Sequence, residues 1–129
     1  MIHMHGALLR ALCAACGHRW DAPREMSPAT PCPACHAASA RPDVVWFGEI
    51  PYHMDRIGAL LQGCRLFVAI GTSGTVYPAA GFVAEARAAG AETLELNAEA
   101  SEVSDAFDGH RLGPATDVVP AWVDEVLGG

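Results

Sequence analysis

The chain has 129 residues, 51% of them hydrophobic and 18% charged, which is long enough for one domain with a real core and excludes a disordered tail. A formal charge of -7 without any Lys/Arg cluster excludes direct nucleic-acid binding and favours a basic peptide as partner. No apolar run, Leu66 to Ile70 included, is nearly long enough to span a membrane.

The N-terminal residues lack the charged-then-apolar shape of a signal peptide, so a cytoplasmic location is expected. Residues 1 to 12 run from His3 and His5 into Ala7-Leu-Leu-Arg-Ala-Leu12, an apolar stretch that reads as a strand entering a metal module. Residues 13 to 40, rich in Cys, Pro, Ala and Ser with little periodicity, read as a small separate lobe in which metal replaces a core. From 41 to 129 the texture changes. Val44–Phe47, Leu66–Ile70, Thr93–Leu96 and Val118–Val119 are short apolar runs bounded by Gly, Pro or Asn, as buried parallel strands are. Helical patterns lie between them: Asp55 to Gln62 stops at Gly63, and Pro78 to Ala89 stops at Gly90 with Phe82, Val83 and Ala86 on one stripe. Ser101 is placed to cap a short helix through Phe107, and Pro120 to open a last one. Strand and helix alternate, so the expected fold class is α/β with a parallel sheet of about four strands and a small four-cysteine module near the N-terminus.

Four of the five cysteines fall in two close pairs, Cys13-x-x-Cys16 and Cys32-x-x-Cys35, fifteen residues apart. Each pair can bend around one ion, and four thiolates make a closed tetrahedral zinc site with no open position for water, hence structural rather than catalytic. Gly17, Pro31 and Pro33 suit the tight turns of zinc knuckles. Two redox pairs or reduced buried thiols are the alternative, disfavoured because neither pair sits at a strand-to-helix junction. His18 and His36 read as exposed neighbours, and Cys64 as a small core residue.

His5-Gly6 before the cysteine module, then Arg41-Pro-Asp-Val-Val-Trp-Phe-Gly-Glu49, Gly71-Thr-Ser-Gly-Thr-Val-Tyr-Pro78, Glu95-Leu-Asn97 and Gly113-Pro-Ala115 follow one another in the order found in the sirtuins. Over nearly its whole length the chain resembles the C-terminal half of that family, and the Val-Tyr-Pro-Ala-Ala-Gly continuation resembles its bacterial deacylase branch. The resemblance implies part of a Rossmann-like NAD-binding domain. It also implies an NAD-dependent protein-lysine deacylase that transfers the acyl group to ADP-ribose and releases nicotinamide. His5 then matches the general base, a task suited to an imidazole because it titrates near neutrality. Val45, Trp46, Phe47, Gly48 and Glu49 match the segment that pairs with an acyl-lysine peptide by strand addition. Gly71, Thr72 and Ser73 match a cofactor loop, and independently they follow an apolar strand at the edge where open α/β sheets bind ligands. Asn97 with Glu99 match the contact to the adenosine ribose, and Pro114 with Ala115 match the loop along the adenine.

A complete sirtuin is roughly twice this long. The Gly-rich phosphate loop, the nicotinamide pocket and the first strands that the family carries upstream of the histidine have no counterpart in this sequence. The start at Met1 therefore reads as an internal methionine of a longer or split reading frame. The isolated chain is expected to be inactive or nearly so, and to self-associate or pair with a complementary N-terminal half, because a halved sheet leaves an apolar edge. Two other classes compete with the deacylase: a non-catalytic zinc-stabilised peptide-binding module, and a rubredoxin-like redox or metal-transfer protein.

Overall fold

In the computed structural model, which describes residues 1–128, the apolar run after His5 forms β1 (Gly6–Cys13). It lies between β2 (Arg19–Asp21) and β3 (Ala40–Val44) in an antiparallel sheet of order β2-β1-β3, within a compact unit spanning Met1–Asp55. Backbone contact is unusually close where β1 begins. Gly6 has φ +83°, and a Cβ there would stand 2.0 Å from the carbonyl oxygen of Asp43, so only glycine fits. Asp43 is itself buried, at 6% exposure, and its carboxylate accepts from Arg19 Nε at 2.9 Å and Tyr52 Oη at 2.8 Å. The Arg19 guanidinium also lies 5.1 Å from the Tyr52 ring centroid, so a cation and an aromatic ring complete the cover over the carboxylate.

The strand expected over Val44–Phe47 is instead Ala40–Val44, and the chain leaves it in a turn closed by Glu49 N–H to Trp46 O at 3.0 Å. The reason lies in the charges. Arg41 and Asp43 make β3 look polar, yet Asp43 is paired and buried while Trp46 and Phe47 stay exposed. β1 ends at Cys13, where the expected metal module begins, and β3 pairs with it in the same sheet; by contacts the chain forms two compact units, Met1–Asp55 and Arg56–Gly129.

The second unit, Arg56–Gly129, is α/β as expected. α1 (Met54–Gly63) leads to β4 (Leu66–Ile70), a 3-10 turn at Ala79–Gly81 runs into α2 (Phe82–Ala88), and β5 (Glu92–Asn97) follows. A second 3-10 turn at Ser104–Ala106 precedes β6 (Gly109–Leu112) and α3 (Ala115–Gly128). The sheet is parallel in the order β4-β5-β6, with three strands where about four were expected. Its core is Leu61, Phe82, Val83, Ala86, Ala91 and Leu96, which includes the whole stripe foreseen on α2. Each large side chain among these adds roughly 1.5–3 kcal/mol on burial.

Val118 and Val119 are helical, not a strand. The carbonyl of Pro114 accepts the N–H groups of Asp117 and Val118 at 2.9 and 3.0 Å, which starts α3 at Ala115 and leaves Pro120 inside the helix instead of opening it. The third strand is β6, whose Gly-His-Arg-Leu sequence carries no apolar run. Ser101 caps no helix; its N–H donates to Ser104 Oγ at 2.8 Å, and only the 3-10 turn forms. Among the described residues no helix is long and apolar enough to cross a membrane.

Candidate functional site

The zinc knuckles are set by backbone hydrogen bonds. Gly17 N–H reaches Cys13 O and His36 N–H reaches Cys32 O, both at 2.9 Å, and each curls its Cys-x-x-Cys segment so that two thiols face one point. The Sγ atoms of Cys13, Cys16, Cys32 and Cys35 all lie within 4.8 Å of one another. Cys13 to Cys35 is 3.7 Å and Cys16 to Cys32 is 3.8 Å, which matches the edge of about 3.8 Å in a tetrahedron with metal–sulfur bonds near 2.3 Å. Electrostatics agree. The Ser39 hydroxyl, 3.2 Å away, holds the Cys13 thiol down to about 6. Cys16, which the His18 backbone N–H would lower, is pushed up to about 12 by the thiols of Cys35, Cys13 and Cys32 and by desolvation. Four sulfurs at this spacing would surround one cation, so the residues fit structural zinc. Ser39 is a supporting group that no spacing or motif marks in advance. His18 and His36 are exposed, and Cys64 is half-buried with Sγ donating to Leu61 O at 3.2 Å.

In the same unit, His5 is exposed but its backbone is fixed. Val45 N–H donates to His5 O at 2.9 Å, Tyr52 N–H donates to Met4 O at 2.8 Å, and Gly6 N–H turns back to His3 O at 3.0 Å. The histidine and the 45–49 segment are thus joined directly through Val45. Val45 is half-buried, while Trp46, Phe47, Gly48 and Glu49 are exposed. Glu49 is engaged within the protein: Arg41 Nη1 and Nη2 reach its two oxygens at 2.7 and 2.9 Å, and Trp46 N–H donates to Oε2 at 3.1 Å. The Arg41 bond and the Trp46 amide together hold its carboxyl down to about 2. Next to this segment His3, Arg19, Asp43, Tyr52 and His53 line a small cavity of about 380 Å³.

In the second unit, three loops meet at the carboxyl edge of the parallel sheet. Gly71 N–H donates to Leu96 O at 3.0 Å, Gly113 N–H donates to Asn97 O at 2.9 Å, and Asn97 Nδ2 donates to Thr72 O at 2.6 Å. The end of β5 therefore ties both flanking loops. A groove of about 580 Å³ results, with Gly71, Thr72, Ser73, Asn97, Glu99 and Ala115 in its wall. Pro114 is exposed and not in that wall; its carbonyl starts α3. Beneath the groove lies Glu95, at 1% exposure, whose signal in the sequence was a lone carboxylate inside an apolar strand.

The Sir2 family model matches residues 1–78, more than half of the chain. The chain belongs to the Sir2 family. It is 54% identical over 128 residues to an NAD-dependent protein deacylase of Caulobacter vibrioides, covering 98% of this chain and 54% of that protein. An NAD-dependent protein deacylase of Salmonella typhimurium is 48% identical over 130 residues, covering 100% of this chain and 48% of the relative. The chain spans about half the length of the curated relatives it matches. A solved Sir2 homologue in complex with NAD superposes with a TM-score of 0.87 at 28% identity, covering 97% of this chain and 50% of that one. These matches bear out the expected family and the Rossmann-like α/β fold with its four-cysteine module.

Proposed function

We propose that this chain is the zinc-bearing and adenosine-binding part of an NAD-dependent protein-lysine deacylase. What carries the reading is the groove at the carboxyl edge of the parallel sheet, where a glycine, two hydroxyls and an asparagine converge, as ligand sites of open α/β sheets do. NAD binds there by its adenosine end, with Asn97 and Glu99 at the ribose and Ala115 along the adenine. An acyl-lysine peptide pairs with residues 45–49. Its acyl carbonyl oxygen would take the place of nicotinamide on the ribose, His5 would accept the proton of the ribose hydroxyl that then attacks the acyl carbon, and addition of water would release the lysine amine and leave the acyl group on ADP-ribose. Zinc holds the lobe that carries His5 and adds no chemistry. Unpaired ligand thiols need a reducing compartment, which supports a cytoplasmic location.

The sequence contains no Gly-rich phosphate loop, so the 129-residue chain alone orients no cofactor pyrophosphate and is inactive. Leu66 and Ile70 on edge strand β4 are exposed, as surface that a complementary upstream segment or a second copy covers would be.

The test is complementation. The zinc-loaded chain, alone and co-expressed with the upstream half of the Caulobacter relative, is assayed for NAD-dependent removal of acetyl and succinyl groups from lysine peptides. Activity is expected only in the pair, and Asn substituted at His5 (His5→Asn) should abolish it. Activity of the chain alone overturns the incompleteness. Peptide binding without any binding of NAD, in the pair as in the chain, favours the second reading, a zinc-stabilised peptide-binding module.

A further inference from the structure

We infer that Glu95 is a positioning residue that fixes Asn97 as a pure hydrogen-bond acceptor toward the groove, so that the site selects a sugar by its hydroxyl donors. The inference rests on the reading of this groove as an adenosine site. Asn97 Nδ2 donates to Thr72 O at 2.6 Å and to Glu95 Oε1 at 3.0 Å. Neither partner has a proton to give, one being a backbone carbonyl and the other a carboxylate. Turning the amide over would set Oδ1 against two oxygens, so chemistry alone fixes which atom is nitrogen. Both N–H groups of the amide are then used. Oδ1 is the polar atom left to the groove, whose wall Asn97 forms.

Glu95 can impose this because it is buried yet charged. Desolvation works against its ionised form, but hydrogen bonds from Ser101 Oγ at 2.5 Å, from Ser104 Oγ and from Asn97 outweigh it and keep its carboxyl below the usual value. Ser101 N–H in turn donates to Ser104 Oγ at 2.8 Å, so the two hydroxyls are aimed by the loop itself. Glu95 is absent from the groove wall, so it acts on a ligand only through the wall residues it bonds, Asn97 and Ser101. A carboxylate accepts and never donates. A neutral glutamine in its place can donate, so it no longer compels an N–H from Asn97, and the Thr72 carbonyl alone is left to hold the amide.

Adenosine and 2′,3′-dideoxyadenosine are titrated into the zinc-loaded full chain and its Glu95→Gln variant by calorimetry, with the Asn97 side-chain amide followed by NMR. The native chain is expected to prefer adenosine by about tenfold, the worth of one well-formed hydrogen bond. In Glu95→Gln the preference should fall part of the way, since the Thr72 carbonyl still holds the amide, while dideoxyadenosine binds nearly as before; a general loosening would weaken both ligands alike. Ser104→Ala removes a donor to Glu95 and the acceptor of the Ser101 N–H without touching Asn97 itself, and should lower the preference by a smaller part. An undiminished preference in both variants overturns the inference and leaves the groove standing as an adenosine site. Equal binding of the two nucleosides by the native chain also overturns it. Binding of neither overturns the adenosine reading and the inference with it.

Discussion

The two units of this chain are held together by different physics. In the first, Met1–Asp55, the buried apolar residues are Ala11, Cys13, Cys32 and Ala40, so half of that small core consists of metal ligands, and its buried charge Asp43 needs Arg19 and Tyr52 to stay there. In the second, Leu61, Phe82, Val83, Ala86, Ala91 and Leu96 pack around a parallel sheet, with no cluster of metal-ligating side chains among the described residues. A lobe of this size with two alanines as its other buried apolar groups cannot fold on hydrophobic burial, and zinc supplies the missing free energy. The lesson is that the segment proposed to carry the chemistry, His5 and residues 45–49, is mounted on the metal-dependent unit, whereas the proposed nucleotide groove is mounted on the self-supporting one.

Removing the metal should break that contrast most sharply. Zinc bound by four thiolates contributes apparent stabilisation of about 10–16 kcal/mol in small zinc modules. Chelation, or Cys32→Ser, is expected to abolish hydrogen-exchange protection in β1, β2 and β3 while β4, β5 and β6 keep theirs, with bound zinc falling from one per chain to near none. Simultaneous loss of protection in both sheets would show that the second unit leans on the first.

A smaller effect is expected from Gly6→Ala, which tests whether backbone geometry, and not metal alone, shapes the first unit. The new methyl would meet the Asp43 carbonyl at 2.0 Å in a left-handed conformation that alanine resists, and β1 must separate from β3 at that point. We expect a loss of about 3 kcal/mol, the range for a strained backbone position with a steric clash. Urea unfolding of the zinc-loaded chain, read through β1 and β3 amides, measures it. Retention of zinc with slackened β1–β3 pairing is the expected pattern, and unchanged stability would mean that the strand entry can shift at no cost.

How much of this was legible in the sequence differs between the units for the same physical reason. The cysteine spacing declared the metal site because ligand geometry is local, and the Gly-bounded run Leu66–Ile70 declared β4 because a buried parallel strand is apolar throughout. β3 was misplaced by several residues because its stability comes from Arg19 and Tyr52, remote partners that make a polar strand acceptable. β6 escaped notice because His110 and Arg111 give an edge strand no apolar signature, and Val118–Val119 misled because two valines before a proline read as strand and helix start. At the second sheet's edge, Gly71, Thr72, Ser73, Asn97 and Glu99, expected at the cofactor, line one groove, whereas the burial of Glu95 beneath them is not legible, since only tertiary structure shows which charge in a strand is buried.

Two bidentate arginine–carboxylate pairs, one in each unit, offer the finest test. Arg111 reaches Glu125 at 2.8 and 2.6 Å between β6 and α3, both side chains substantially exposed, and such a pair adds little to a unit already held by its core. Arg41 reaches Glu49 with similar geometry, but there the carboxylate also receives the Trp46 amide and shapes the exposed 46–49 turn. Arg111→Met should therefore leave unfolding indistinguishable from the native chain, while Arg41→Met should free the turn without unfolding the sheet. The sign of the pH effect follows from the lowered carboxyl. Glu49, held down to about 2 in the folded chain, contributes its stabilisation fully above the ordinary value of 4.5 and loses it only as pH falls from there toward 2. At pH 4.5 the native Glu49 carboxyl carbon should still report a full negative charge, and in Arg41→Met it should be about half protonated. An ionised Glu49 at that pH in the variant would mean that the Trp46 amide alone sets the turn, and that the first unit, like the second, can lose an arginine without consequence.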